Sequence, residues 1–296
     1  MCLIAWNWQP GSATPLLLVA NRDEFYARPA QAMHWWDCHN ILAGRDLQAG
    51  GTWLGVTRGG RLAALTNYRD FSVATSASRQ RADAPSRGEL ATEFLNSELP
   101  ALEFLQRLAG RAKQYNPFNL LVFDGTRLLG LQSRGAEVVE MRPGIGAVSN
   151  ADFHSPWPKL TWLRDELENH VSSSGAARSA GSRDAYAIAG ENGSDEVDVE
   201  ALLSILKNQT IAPDDALPQT GLPLARERAL SAAFVSSPDS GTRASSVVKI
   251  ARTQAQFAER TFDAAGVVAT QSHAFSIRPQ LVLRDTATSG GVAACP

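Results

Sequence analysis

Short apolar runs separated by turn-forming residues set the pattern of this chain. Cys2–Trp8 and Leu16–Ala20 flank Gln9-Pro10-Gly11-Ser12, which predicts an opening β-hairpin. The second run leads into Asn21-Arg22-Asp23-Glu24-Phe25, read as a polar stretch just past the strand. Thr52–Thr57 and Leu62–Asn67 enclose Arg58-Gly59-Gly60-Arg61, a second hairpin whose two glycines supply the positive φ of a tight turn. A third hairpin follows at Asn119–Asp124 and Arg127–Leu131, with further strands at Glu137–Met141, Gly146–Ser149 and Phe257–Asp263. Ala229–Val235 and Ala244–Ile250 read as another strand pair.

Helical spacing appears between these strands. Ser86-Arg87-Gly88-Glu89 fits a capping box ahead of Leu90, Phe94 and Leu95. Ala101–Leu108 predicts a second helix, Pro158 opens a third towards Leu167, and Asp198 caps a fourth through Leu206. Arg69–Pro85 is polar and reads as a surface loop. Residues 171–196 turn to Ser, Gly and Ala and are expected to form a flexible insertion, and 281–296 a frayed tail. Strands do not alternate one-for-one with helices, so a parallel Rossmann-type sheet is not expected. The prediction is an α+β fold: an αββα sandwich of two mainly antiparallel sheets flanked by helices. It forms a single domain over 1–280.

Composition narrows the functional classes. The 296 residues are 44% hydrophobic and 20% charged, values of a globular chain. The net charge of −2, without a Lys/Arg stripe, gives no reason to expect nucleic acid as a partner. The five histidines and three cysteines fit neither CxxC nor HExxH spacing, so no metal site is expected. No apolar run reaches the roughly 20 residues of a membrane span. No basic segment precedes Cys2–Trp8 as in a signal peptide. A cytoplasmic protein, not an integral membrane protein, is the expectation.

Candidate chemistry gathers at the start of the chain. Removal of Met1 would leave Cys2 with a thiol and a free α-amine on one carbon. That amine titrates near 8 and can serve as the base for its own thiol. The alternative is a small buried hydrophobe opening a strand. Hairpin geometry brings Asn21, Arg22, Asp23 and Glu24 beside Cys2. An arginine there favours thiolate, and an aspartate can orient the α-amine. The other meaning of such a run is a solvated charged turn.

An ordered set of motifs adds a resemblance. Met1-Cys2-Leu3-Ile4, Asn21-Arg22-Asp23-Glu24-Phe25 with Arg28-Pro29, Ala43-Gly44-Arg45-Asp46, Gly50-Gly51-Thr52-Trp53-Leu54-Gly55, Thr66-Asn67-Tyr68-Arg69, Asn116-Pro117-Phe118-Asn119, Ser149-Asn150 with Trp157-Pro158-Lys159, and Gly241-Thr242-Arg243 resemble the NRDE family, that of transport and Golgi organisation protein 2. More distantly the chain is similar to cysteine N-terminal-nucleophile acylases that cleave conjugated bile acids and penicillin V. That resemblance implies the αββα fold and a hydrolase or acyltransferase acting on an amide or thioester of a small acyl substrate, with no required cofactor. It implies Cys2 as nucleophile, Arg22 and Asp23 as its partners, Asn67 and Asn150 near the oxyanion, and Arg243 downstream. Asn21, Glu24, Arg28, Trp53 and Tyr68 are expected around the substrate. The acylases space their arginine and aspartate apart, whereas Arg22 and Asp23 are adjacent and point oppositely on an extended segment. Asn21 or Glu24 then holds one of the two places.

The family resemblance also implies haem handling as an alternative to catalysis. His34, Cys38 and His39 lie among Trp35 and Trp36 and offer an axial ligand in an apolar wall. Cys295-Pro296 is a pair that chance readily supplies. Trp6, Trp8, Trp53 and Trp162 are expected in or beside the core. Arg45-Asp46 and Tyr68-Arg69-Asp70 either solvate a surface or, as the family resemblance implies, brace the site through ion pairs.

Overall fold

The computed structural model describes residues 2–37, 40–69, 81–181 and 198–278. The chain opens with β1 (Cys2–Trp8), β2 (Leu16–Phe25), β3 (Ala30–Trp35), β4 (Ile41–Asp46), β5 (Leu54–Thr57) and β6 (Leu62–Asn67). Helices α1 (Gly88–Asn96) and α2 (Ala101–Ala109) precede β7 (Phe118–Phe123), β8 (Leu128–Gln132), β9 (Glu137–Glu140) and β10 (Gly144–Val148). Helices α3 (Pro158–Gly181), α4 (Val199–Ile205) and α5 (Leu224–Ser231) lead to β11 (Ser240–Ile250), β12 (Gln254–Asp263) and β13 (Gly266–Ser276).

These strands form two sheets, ordered β10-β1-β2-β11-β12-β13 and β3-β4-β5-β6-β7-β8-β9, with every neighbouring pair antiparallel. Alternate residues build the layers. Ile4, Trp6, Trp8, Leu16 and Leu18 from the first sheet meet Leu54, Val56, Leu62, Leu121 and Phe123 from the second in a shared core. The intervening Leu3, Ala5, Leu17 and Val19 pack under Leu160, Leu163, Leu202 and Leu203 of α3 and α4. Ala63, Leu120 and Val122 pack under Leu90, Phe94 and Leu105 of α1 and α2. The result is the expected αββα sandwich. A strand covered on both faces reads as an unbroken apolar run, which is why β1, β2 and β7 stand out in the sequence. Trp6 packs so tightly on β10 that a Cβ at Gly146 would lie 2.4 Å from its indole.

Several expectations need correction. Asn21–Phe25 is not a turn but the second half of β2, because β11 pairs with it as far as Ser240 opposite Phe25. Ala229–Val235 is no strand: Ala229–Ser231 end α5. The capping box is not made, since Ser86 Oγ accepts only from the Gly88 N–H at 3.3 Å and Glu89 takes the Tyr115 hydroxyl at 2.6 Å. Residues 171–181 of the expected insertion continue α3. At the second hairpin Gly60 alone has positive φ, 81°. The Asp198 cap is present, with its carboxylate 3.0 Å from the Ala201 N–H. Trp6, Trp8 and Trp53 are buried between the sheets, and Trp162 packs partly buried against the cluster between the first sheet and its helices. Residues 182–196, the tail 281–296, Cys38, His39 and Asp70 lie outside the described residues. No helix among the described residues is long and apolar enough to cross a membrane.

Candidate functional site

Because β1 and β2 form one hairpin, the start of the first strand lies level with the polar end of the second. Cys2 is the direct register partner of Arg22. Both line a cleft of about 1610 Å³ between the sheet ends, together with Asp23, Glu24, Arg28, Trp53, Asn67, Tyr68 and Arg243. Cys2 is 7% exposed. Burial pushes its thiol up to about 11, against the lowering pull of the N-terminal charge and Arg22. Its carbonyl accepts from Ser149 Oγ at 2.8 Å.

Arg22 and Glu24 share the inter-sheet face of β2 with Cys2, and a chain of charges crosses from them to the second sheet. Arg22 Nη2 lies 3.8 Å from Glu24 Oε2 and 3.7 Å from Asp46 Oδ2. Arg28 Nε donates to Asp46 Oδ2 at 2.7 Å. Asp46 thus joins the bracing network as expected. Arg45 turns away to the Gly50 carbonyl and the Trp36 ring.

Asn21 points to the opposite face, which corrects its expected place at the substrate. Fully buried, it donates to the Leu206 and Ala233 carbonyls at 2.8 Å each and accepts from Ser245 Oγ at 2.6 Å. Adjacent residues on a strand point oppositely, so Leu17, Val19 and Asn21 fasten the sheet to its helical layer. Asp23, 4% exposed, accepts from Thr242 Oγ1 at 2.7 Å. Between Thr242 and Ala244 the β11 register slips. The extra residue of this bulge is Arg243, and a bulge re-aims its side chain. Arg243 donates to the carbonyls of Phe25, Tyr26, Arg28 and Phe262 at 3.0–3.2 Å, so its role here is to clamp backbone.

The two asparagines separate. Asn67 lines the cleft, and its side-chain amide has no hydrogen bond to a described residue. Asn150 is fully buried and stands outside the cleft wall, its Nδ2 donating to the Asn67 carbonyl at 2.7 Å. Tyr68 donates to Asp152 Oδ1 at 2.9 Å. His34 Nδ1 lies 2.9 Å from the Ala32 carbonyl, away from the cleft lining.

Three further cleft residues, and a buried lysine behind the cleft wall, are not marked as such by the sequence. Lys159, in the first turn of α3, is fully buried with Nζ donating to the Leu230 carbonyl at 3.0 Å. Burial brings it down to about 8 against the pull of Asp23. Its only signal is its place in the Trp157-Pro158-Lys159 motif. Glu259 on β12 is buried in the cleft wall and accepts from the Met33 N–H of the other sheet at 2.7 Å. Burial raises it to about 7, and nothing in its sequence surroundings marks it. Arg69 and Arg87 also line the cleft. Arg87 is hidden inside the apparent capping box, and Arg69 is expected only as an ion-pair brace.

The family model described as "Transport and Golgi organisation 2" matches residues 1–264. The chain belongs to this family. Within the Transport and Golgi organisation 2 family, the Bos taurus protein 2 homolog is 34% identical over 267 residues, covering 84% of this chain and 88% of that protein. The Homo sapiens homolog is 31% identical over 269 residues, covering 84% and 88%. Among solved structures, a mutant conjugated bile acid hydrolase from Clostridium perfringens aligns at 10% identity with a TM-score of 0.41, covering 94% of this chain and 92% of its own. A Caenorhabditis elegans ortholog of N-acylethanolamine-hydrolyzing acid amidase aligns at 10% identity with a TM-score of 0.43, covering 83% and 92%. The αββα assignment of this Transport and Golgi organisation 2 member rests on its own sheet order and layers.

Proposed function

We propose that the protein is an N-terminal-nucleophile-type hydrolase or acyltransferase acting on an amide or thioester through Cys2 once Met1 is removed. The observation that carries this reading is the pairing of Cys2 with Arg22 at the wall of a large cleft. With Met1 still attached, burial holds the thiol at about 11; the α-amine freed on the same residue supplies the base that a protonated thiol needs. In this reading the α-amine of Cys2 takes the thiol proton and Asp23 orients that amine. Sγ attacks the carbonyl carbon. The oxyanion accepts from the unengaged Asn67 amide and from backbone N–H groups. The C–N or C–S bond then breaks, and the ammonium returns its proton to the departing amine or thiolate. Water or a second amine attacks the acyl-sulfur carbonyl and regenerates Cys2. Asn150 and Arg243 act as positioning residues, fixing Asn67 and the Phe25–Arg28 backbone. Glu24, Arg28, Trp53 and Tyr68 line the substrate side. A cytoplasmic setting, which keeps a thiol reduced, suits this chemistry.

Intact mass before and after an electrophilic acyl probe tests the proposal. The expected result is loss of Met1 and a single adduct on Cys2, absent from Cys2→Ala. Retained Met1 or an adduct elsewhere rejects it. A Soret band on haem titration would then favour the haem reading.

A further inference from the structure

Among the half-buried guanidiniums that line the cleft, two differ from the rest. Arg22 and Arg28 are engaged by Glu24 and Asp46, and Arg243 by four carbonyls. Arg69 and Arg87 are half-buried in the same wall, and neither forms an ion pair with a described residue. Arg87 Nη1 gives a single bond, 3.0 Å to the Pro117 carbonyl. Arg69 Nη2 is buried with no hydrogen-bond partner among the described residues. Glu227 does not fill that gap: one of its oxygens takes the Thr220 hydroxyl and the other is itself unpartnered. Burial holds Arg69 down to about 10, against the pull of Glu227 and Asp23. Burial likewise lowers Arg87, against the pull of Cys2 and Glu24.

A guanidinium carries five donors in a fixed fork shaped for a carboxylate or phosphate. Keeping it charged and half-desolvated without an anion is unfavourable, and a ligand anion would remove that penalty. Beside Cys2, Arg22 and Arg28 pair with Glu24 and Asp46, and Asp23 takes the Thr242 hydroxyl, so Arg87 has no carboxylate partner among the described residues. The 1610 Å³ volume exceeds the roughly 300–1,000 Å³ of ordinary small-molecule pockets, leaving room for an acyl chain and a polar head.

We propose that the cleft binds a substrate bearing an oxyanion group (carboxylate, sulfonate or phosphate), held by Arg87 with Arg69 as a second contact. That this compound presents its acyl carbonyl to Cys2 rests on the function proposed above; the anion seat does not.

The test is equilibrium titration of the full-length Cys2→Ala protein, which cannot turn over, with hexanoate, hexanesulfonate, hexyl phosphate and neutral hexanamide. At least one anion should bind roughly tenfold or more tightly than hexanamide, and the strongest of the three identifies the head group. Arg87→Gln should abolish the preference and Arg69→Gln should reduce it. Arg142, exposed and outside the cleft lining, should leave it intact when changed to Gln. If Arg87→Gln does not fold, Arg87→Lys, which keeps charge but loses the fork, should give an intermediate preference. No anion binding, equal binding of hexanamide, or a preference surviving in the folded Arg87 variant overturns the proposal. Alkylation of the unmutated protein separates the two readings. Anion binding with an inert Cys2 keeps the anion seat and discards acyl transfer. A reactive Cys2 without anion preference does the reverse.

Discussion

Cys2 and Arg22 face each other as register partners of the β1–β2 ladder, on the face turned towards the second sheet. The guanidinium counteracts the burial that pushes the Cys2 thiol up. Changing Arg22 to Gln removes that counterweight and should make the thiol less acidic still. At any pH below about 11, a thiol made about ten times less acidic holds about ten times less thiolate. Iodoacetamide labelling of Cys2 across a pH series should therefore slow about tenfold at any fixed pH below that value. An unchanged profile would mean that Arg22 acts on Glu24 and Asp46 alone.

Asn67 and Asn150 should part company under substitution. If Asn67 meets the oxyanion, Asn67→Ala lowers kcat by about two orders of magnitude, the usual weight of one such donor, with little change in urea midpoint. Asn150→Ala should instead cost stability, because the Asn67 carbonyl loses its donor. The reverse assignment of losses would move the oxyanion role to Asn150.

Asn21 is a structural fastener, so its removal should be felt in folding. Its amide satisfies the Leu206 and Ala233 carbonyls, 185 and 212 residues away in sequence. Asn21→Ala should destabilise by about 2–3 kcal/mol in urea unfolding. Glu24→Gln, in a looser pair at 3.8 Å, should stay within about 1 kcal/mol. Equal losses would contradict the division of β2 into a fastening face and a cleft face.

Glu259 gives the stability curve a direction. Burial raises its carboxyl from 4.5 to about 7. Between those values the folded chain keeps a proton that the unfolded chain has released. This contribution therefore falls as pH rises from 4.5 to about 7 and is level above that. Glu259→Gln, which keeps an acceptor for Met33, should remove a decline of roughly 3 kcal/mol across that window. Urea midpoints at pH 4.5, 6 and 8 for the two proteins check this; parallel curves would count against it.

Much of this arrangement can be read from the sequence, and the failures have physical causes. The β1–β2 hairpin announces itself because both faces of each strand are covered. The hairpin geometry alone brings Cys2 to Arg22. Local pattern cannot show that β11 arrives to pair with Asn21–Phe25, so charged residues buried by a distant strand look like a turn. β3 and β13 are at sheet edges, β13 largely exposed and β3 only partly buried, so they carry no apolar run. The Ser- and Ala-rich residues 171–181 have a loop-like composition, yet they extend the helix begun at Pro158. Lys159 and Glu259 acquire their meaning only through burial, a property of the assembled layers.

The first strand of the chain lies inside its sheet, between β10 and β2, while β2 waits for β11. Ser245 of β11 pairs with Asn21, so more than two hundred residues must be synthesised before the N-terminal hairpin gains its outer neighbour. A nascent chain still lacking β11 has an open apolar edge on β2 and an unfinished cleft. Such long-range pairing is slow to form and exposed to aggregation meanwhile. Truncation before residue 240 should therefore yield insoluble chain rather than a smaller folded unit, and the chemistry proposed for Cys2 would have to wait until β11 has been made.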